Sequence, residues 1–357
     1  MALNPRLNAP ETPLVSITVF NYNYGRYLRE CFDSILAQTY DNIEICFSDN
    51  ASTDDSWAIA LEYQQRFPDI FFVARNRQNF GTDANFRNCW VNARGKYFVE
   101  LCSDDALLPD FTRRCVEAME NDLAVGFTIV HRAILDEYGE RVTEAPFYNQ
   151  TCKIPGPSQA AVYMMAAVNP AVSQIMYRKT FTTGKTVIGG LAARWYGTRM
   201  MDFNMCCEYP IVYIKDPLLL HRLHLANDSF KAADNMMEVI GPYVLNHQFA
   251  ELASFYNHHN VTERLPASIE KVANLALRYS VRALINGDER SARRYHDLSM
   301  ALLPEIRNNE VCVQLNAYWS IGDPAERRQA VAALETRDNL VTRSVSYDPP
   351  PGSTPLQ

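Results

Sequence analysis

The chain has 357 residues, 47% of them hydrophobic and 21% charged, with a net charge of -7. That length leaves room for two domains of roughly 100–200 residues each and for a sizeable core, and the composition is that of an ordinary soluble globular protein. The acidic balance excludes a general nucleic-acid binder, which needs a basic surplus to neutralise phosphates. The nine cysteines are odd in number and show no CxxC spacing. They read as the reduced thiols of a cytosolic chain, not as a disulfide framework. No basic-then-apolar leader opens the sequence, and no apolar run approaches the ~18 residues that span a bilayer, so membrane contact is expected to be peripheral.

Residues 1–13 are polar with three prolines and are expected to form a loose arm. The β-branched run Val15 to Phe20 predicts a first strand that breaks into Asn21-Tyr22-Asn23. Tyr27, Leu28, Cys31, Ile35 and Leu36 then follow helical spacing. Ile43 to Phe47 predicts a second strand, ended by Ser48-Asp49-Asn50. In the turn after it, Ser52 or Asp54 is placed to cap a helix starting near Asp55. DIFFVARN, DANFRNCWVNA and KYFVELCSDD supply a third strand, a third helix and a fourth strand, which ends in Ser103-Asp104-Asp105. Alternation of helices with continuous apolar strands implies a mostly parallel sheet covered on both faces. Ligands of such sheets bind outside the carboxyl ends of the strands, so the three polar strand ends are expected along one edge. Read locally, Asp104-Asp105 also suits a turn before Leu107 to Pro109, and SDNASTD suits a turn with capping residues.

Further on, LAVGFTIVHRAILDEYG and the run Ile211 to Ile214 read as strands, with an apolar segment NPAVSQIMYRKTF and a Gly-rich TGKTVIGG between them. From about residue 233 to 340 the spacing is helical throughout. Two of these helices meet at Gly287-Asp288 in a hairpin resembling one tetratricopeptide-like unit, which is too little for a repeat array. The proline-rich segment 341–357 is expected to be a disordered tail. The helical region offers a surface for an acceptor, a second copy of the chain or a membrane face, and its composition does not choose among them.

The stretch VSITVFNYNYGRYLRECFDSILAQTYDNIEICFSDNASTDDS resembles the opening of inverting family 2 glycosyltransferases with the GT-A fold. Tyr22-Asn23, Ser34-Ile35-Leu36, Gln38-Thr39-Tyr40, and Asp49 with Ser52, Thr53 and Asp54 match in order and spacing. Asn79 and Gly81 match the family's N-x-G, Gly95-Lys96-Tyr97 its G-x-Y, and Asp104-Asp105 with Pro109 its acidic motif. The resemblance implies an α/β GT-A domain over 14–232, with 14–125 as the donor-binding half and 126–232 as the acceptor-side half. A helical accessory region, 233–340, lies outside it.

The same resemblance implies a nucleotide-sugar donor, probed by Phe20, Asn21, Tyr22, Asp49, Asn79, Gly81, Asp104 and Arg222. Asp49 matches the aspartate that accepts from the uracil N–H, which points to a UDP-sugar. Phe20 stands where a small residue or proline is common, and packs either near the base or in the core. Asp104 and Asp105 match carboxylates that contact ribose and a divalent cation, Mn2+ or Mg2+, although the family often carries a further Asp where Cys102 stands. Oxygen ligands suit such ions, which stabilise a diphosphate leaving group.

Asp202 matches the general base of an "ED" motif, with Met201 in place of Glu; an inverting displacement needs such a base within reach of the acceptor hydroxyl. DPLLLHRLHLANDS resembles a segment closing the donor site, with Arg222 as a fork of donors to the diphosphate and His224 as a ligand of metal or phosphate. His221 and His131 read as packing or surface residues. The implied setting is assembly of a bacterial surface glycan on a glycan or lipid-linked glycan acceptor at the cytoplasmic face of the membrane. A nucleotidyltransferase is disfavoured, because FNYNYGRYL is not the Gly-rich, Arg/Lys-bearing loop such enzymes carry after their first strand. The remaining alternative is a non-catalytic nucleotide-sugar-binding or interaction scaffold that uses the helical region. Cys102 and Met201 favour it; the retained Asp49, Asp104, Asp105 and Asp202 oppose it.

Overall fold

The structure, a computed structural model, describes residues 12–136, 139–142, 144–166, 170–185, 193–224, 236–335 and 345–356. Most of the expected N-terminal arm, part of the Gly-rich TGKTVIGG stretch and the Asn227 to Ser229 portion of the donor-closing segment lie outside the described residues.

Strand β1 (Val15–Asn21) pairs in parallel with β2 (Ile43–Asp49) on one side and with β4 (Tyr97–Cys102) on the other; β3 (Phe71–Arg75) continues beyond β2. Strand β9 (Ile175–Arg178) enters antiparallel between β4 and β6 (Phe127–Leu135). In consequence β6, and β10 (Ile211–Arg222) parallel to it, run in the same direction as the first four. Strands β8 (Cys152–Ile154) and β11 (Thr354–Pro355) finish that side of the sheet. The two-residue strands β5 (Ala106–Leu107) and β7 (Arg141–Val142) attach to β10 and β6. Across the sheet the order is β11-β8-β10-β6-β9-β4-β1-β2-β3. The expected α/β architecture, a largely parallel sheet with a helical C-terminal region, is the observed one.

Apolar periodicity explains how the helices seat. Helix α1 (Gly25–Leu36) buries Leu28, Cys31, Phe32 and Ile35, one stripe of its surface. The Phe32 ring meets Phe47, Tyr63 and Phe71 edge to face at 5.4, 5.1 and 4.8 Å, an arrangement that suits the ring quadrupoles. Helix α2 (Ser56–Arg66) is tied to α1 by Asp54, whose carboxylate accepts from the Ser56 N–H at 3.1 Å and from the Gly25 N–H at 2.8 Å. Ser52, the other capping candidate, instead accepts from the Asn23 N–H at 2.9 Å. Helices α3 (Thr82–Asn92) and α4 (Phe111–Glu120) complete the first half of the chain. Gly95, the glycine of the G-x-Y match, has a steric reason: a Cβ there would sit 2.7 Å from the Leu14 carbonyl and the Ser16 nitrogen.

Helices α5 (Gly156–Ala166) and α6 (Ala193–Cys206) lie under β6, β8 and β10 with the long helix Met237–Phe255. The Phe203 and Phe249 rings stack at 4.0 Å, and Leu245, Phe249 and Ala253 share one apolar cluster with Ile211 and Tyr213. The first helix after residue 233 thus belongs to the core beneath the sheet. Helices Leu265–Ile285, Glu289–Leu302, Glu310–Ser320 and Pro324–Glu335 build a second core around Leu277, Leu284, Leu315 and Tyr318. Their hairpin turns at Gly287, with φ +77, and the Asp288 carboxylate caps the next helix through the Ser291 N–H at 2.9 Å.

One expectation is corrected here. The C-terminal segment was predicted to be disordered, yet Thr354 and Pro355 pair with Lys153 and Cys152 at the sheet edge, and Tyr347 bridges to Tyr148. Asn149 donates to Asp348 at 2.6 Å and Ser158 to the Pro351 carbonyl at 2.9 Å. Proline-rich composition argues against an independent core, but an edge strand needs none, and an edge is where a sheet tolerates proline. Deleting residues 345–357 should therefore lower stability by about 1–3 kcal/mol, from a few lost hydrogen bonds and some apolar area. Urea denaturation of the truncated chain checks this; an unchanged midpoint would mean that the segment is not seated.

Candidate active site

The three polar strand ends converge as expected. The Asn21 carbonyl accepts from the Asn50 N–H at 2.9 Å and from the Asn85 amide at 3.1 Å, while its own side-chain amide donates to Asp49 and Ser52, each at 3.2 Å. Ser103 donates to the Phe20 carbonyl at 3.4 Å, joining the end of β4 to that of β1. Asn85, on α3, ties two of the ends by donating also to the Ser48 carbonyl at 3.1 Å. No motif reading marked it.

The residues expected to bind a donor divide into support and surface. Asp49 has no exposure: it accepts from the Ser52 N–H at 3.0 Å and faces the Arg75 guanidinium at 3.2 Å. Arg75, its side chain 40% exposed, is the group that covers it. Phe20 packs edge to face on Phe86 at 6.0 Å, and Tyr22 is exposed. The Asn79 side chain accepts from the Asn50 amide at 2.8 Å and from the Gly81 N–H at 2.9 Å. Gly81 has φ +88, a conformation that disfavours any side chain.

The acidic pair forms the densest part of the site. Asp105 is buried; it accepts from the Ser173 hydroxyl at 2.6 Å and the Arg222 N–H at 3.0 Å, and lies 3.1 Å from His221 Nδ1. Burial alone would raise its pKa, but His221, Ser173 and the Arg222 N–H outweigh it and hold the carboxyl below its usual range. Asp104 goes the other way, raised first by burial and then by the charge of Asp105. Asp104 Oδ2 lies 3.1 Å from His224 Nε2, and the His224 ring packs on Tyr27 at 5.1 Å and Tyr24 at 5.6 Å. Arg222, expected at a diphosphate, here reaches Glu30 at 2.6 Å and the Asp104 carbonyl at 3.1 Å, with its guanidinium over Tyr27. His221, set aside in the sequence reading, is thus part of the site, and so is Ser173.

These residues fit a divalent cation. Ligand atoms of Cys102, Asp104 and Asp105 lie within 4.8 Å of one another. Two ligands on opposite sides of one ion stand roughly 4–5 Å apart, about twice a metal–ligand bond. The donor set therefore includes the position at which this chain departs from the family's acidic motif.

Asp202 occupies a second centre. It is fully buried, accepting from the Tyr177 hydroxyl at 2.6 Å and paired with Arg199 at 2.6 Å; burial raises its pKa against both partners. Glu100 lies close enough to feel it: burial, then the charge of Asp202, pushes the Glu100 carboxyl up to about 8. One Glu100 oxygen, Oε1, has no hydrogen-bond partner among the described residues. The two centres share their supports. Ser173 and Tyr177, four residues apart, hold Asp105 and Asp202, while Glu100 and Cys102 stand on one face of β4.

With this geometry in place, the comparisons with known proteins are direct. The family model described as Glycosyl transferase family 2 matches residues 16–174. That stretch runs from β1 to the turn before β9 and contains the polar ends of β1, β2 and β4. A chondroitin synthase of Escherichia coli is 32% identical over 143 residues, 39% of this chain and 20% of that protein. An uncharacterized glycosyltransferase of Nostoc sp. is 27% identical over 229 residues, 63% of this chain and 69% of that protein. The chain thus spans only a fifth of the first relative's length. Among solved structures, S. aureus TarS 1-349 in complex with UDP-GlcNAc superposes with a TM-score of 0.49 at 15% identity, covering 79% of this chain and 90% of that one.

The raised pKa of Glu100 has a testable sign. A buried carboxyl whose folded pKa stands at about 8 contributes stability below its unfolded value, and that stability is lost as pH rises through 8. Glu100→Gln removes this titration. Its stability relative to the parent should therefore climb between about pH 5 and about pH 9, as read from urea midpoints across that range. A difference independent of pH would contradict the burial argument.

Proposed function

We propose that the chain is an inverting, cation-assisted glycosyltransferase that moves a sugar from a UDP-sugar to an acceptor hydroxyl in glycan assembly. The observation that carries this reading is the placement of Asp104-Asp105 at the carboxyl end of β4, on the same edge as Asn21 and Asp49. That is where open α/β sheets bind their ligands. Asp105 and Asp104 would hold Mn2+ or Mg2+, with His224 at hand. Such an ion supplies neutralisation of the negative charge that grows on the diphosphate leaving group.

The chain's own residues supply the rest. Arg222, released from Glu30, would offer its guanidinium to the diphosphate as a fork of donors. Tyr22, Phe20 and the Asn79 to Gly81 turn would flank the nucleoside, and Asp49 would accept from the uracil N–H once Arg75 swings aside. Asp202 would take the proton of the acceptor hydroxyl. Because Tyr177 and Arg199 enclose it, the acceptor would have to displace one of these contacts. The rise in its pKa caused by burial makes Asp202 a better proton acceptor than a solvated aspartate.

The similarity to a chondroitin synthase supports a polysaccharide or lipid-linked glycan as the acceptor class. All nine cysteines are free thiols, which supports a cytoplasmic setting. No helix among the described residues is long and apolar enough to cross a membrane, so association with the inner face would be peripheral.

Three measurements test this reading. UDP with Mn2+ should raise the thermal unfolding midpoint, since a ligand that binds only the native state stabilises it; no shift with any nucleoside diphosphate would remove the donor site. Asp105→Ala should abolish the metal-dependent part of that shift. Asp202→Asn should keep the shift and lower transfer by about 10²–10⁴-fold, the usual weight of a general base. Transfer within about tenfold of the parent would take the base role away from Asp202.

A further inference from the structure

We infer that Cys102 is itself a ligand of the cation held at Asp104 and Asp105, so that the site prefers a borderline-soft divalent ion such as Zn2+ or Co2+ over Mg2+. The inference rests on the cation site proposed above and concerns which atoms and which metal complete it.

The donor set carries the argument. Cys102 Sγ and one carboxylate oxygen from each aspartate lie within 4.8 Å of one another. His221 Nδ1 and His224 Nε2 stand 3.1 Å from the Asp105 and Asp104 carboxylates respectively. A pocket offering sulfur beside carboxylate oxygen differs in kind from the all-oxygen, partly hydrated shell that Mg2+ demands. A thiolate ligand favours metals late in the first row, where Zn–S bonds of about 2.3 Å and Zn–O bonds of about 2.0–2.2 Å are usual.

A second observation points the same way. Glu100, one pleat before Cys102 on the same face of β4, is 1% exposed and has a carboxyl oxygen with no hydrogen-bond partner among the described residues. The Cys102 thiol stands beside both aspartates. Two carboxyls beside one thiol make a pocket suited to a cation. On binding, the Cys102 S–H gives its proton to solvent and the thiolate sulfur donates its electron pair to the ion. The histidines then act as hydrogen-bond partners that orient the ligating carboxylates, a usual outer-shell arrangement.

Titration of the intact chain with Co2+ in the presence of UDP tests this, because thiolate ligation gives cobalt a near-ultraviolet charge-transfer band that oxygen and nitrogen ligands do not. The expected result is a one-equivalent band that is lost in Cys102→Ala, with Co2+ binding weakened at least about tenfold. Cys102→Ser, which keeps a small polar side chain, should also lose the band and should narrow the preference for Zn2+ over Mg2+. Binding of Co2+ without the band, or a band that persists in Cys102→Ala, overturns the role of Cys102 and leaves the carboxylate site standing. Failure of Co2+, Mn2+ and Mg2+ alike to bind would overturn both, and would be traced to the site itself rather than to the thiol.

Discussion

Two adjacent carboxylates are taken out of water at the end of β4, and much of the neighbouring structure answers the problem this creates. Like charges a few ångströms apart in a low dielectric repel strongly unless one is protonated or cations and hydrogen bonds intervene. The fold uses partners from three directions. The backbone of Arg222 and the ring of His221 arrive from β10, the hydroxyl of Ser173 from the short turn before β9, and His224 from just past β10. Pairing of Ala106 and Leu107 with Leu220 and Leu219 fixes the turn between β4 and β5 against β10. The acids are thereby held at one edge, their ionisation split between them, in a state that a divalent cation would complete.

The same supports link the acidic pair to Asp202. Residues 172–178 hold Asp105 at one end and Asp202 at the other, and β4 presents Glu100 and Cys102 side by side. A shift of β9 would therefore reach both centres. With the roles proposed above, this shared frame would couple donor binding at Asp105 to deprotonation of an acceptor at Asp202. The helix Met237–Phe255 reinforces it from below by packing Phe249 on Phe203, the residue after Asp202. The helical C-terminal half is thus continuous with the floor of the candidate site.

Much of this was legible in the sequence where local chemistry decides. Continuous apolar strands broken by polar triplets marked β1, β2 and β4, and the periodicity of Leu28, Cys31 and Ile35 marked α1. What escaped depends on contacts far apart in the chain. NPAVSQIMYRKTF read only as apolar, because nothing local reveals that it inserts antiparallel between β4 and β6 and brings Ser173 to Asp105, 68 residues away. His221 was set aside in favour of Arg222 and His224, yet its ring reaches the acidic pair across 116 residues. Composition misled at the C-terminus, where the prolines restrict the chain without preventing an edge pairing. Motif matches single out Asp49 and Asp202, but only packing shows that both are closed in by arginines.

The central claim is that the carboxylates at the end of β4 exist to hold a cation beneath a nucleoside diphosphate. Anomalous diffraction from crystals grown with Mn2+ and UDP addresses it most directly. The account predicts a single strong manganese peak within bonding distance of Asp105, bridged to the UDP phosphates. A peak elsewhere, or UDP bound at this edge with no metal between it and the aspartates, would contradict it.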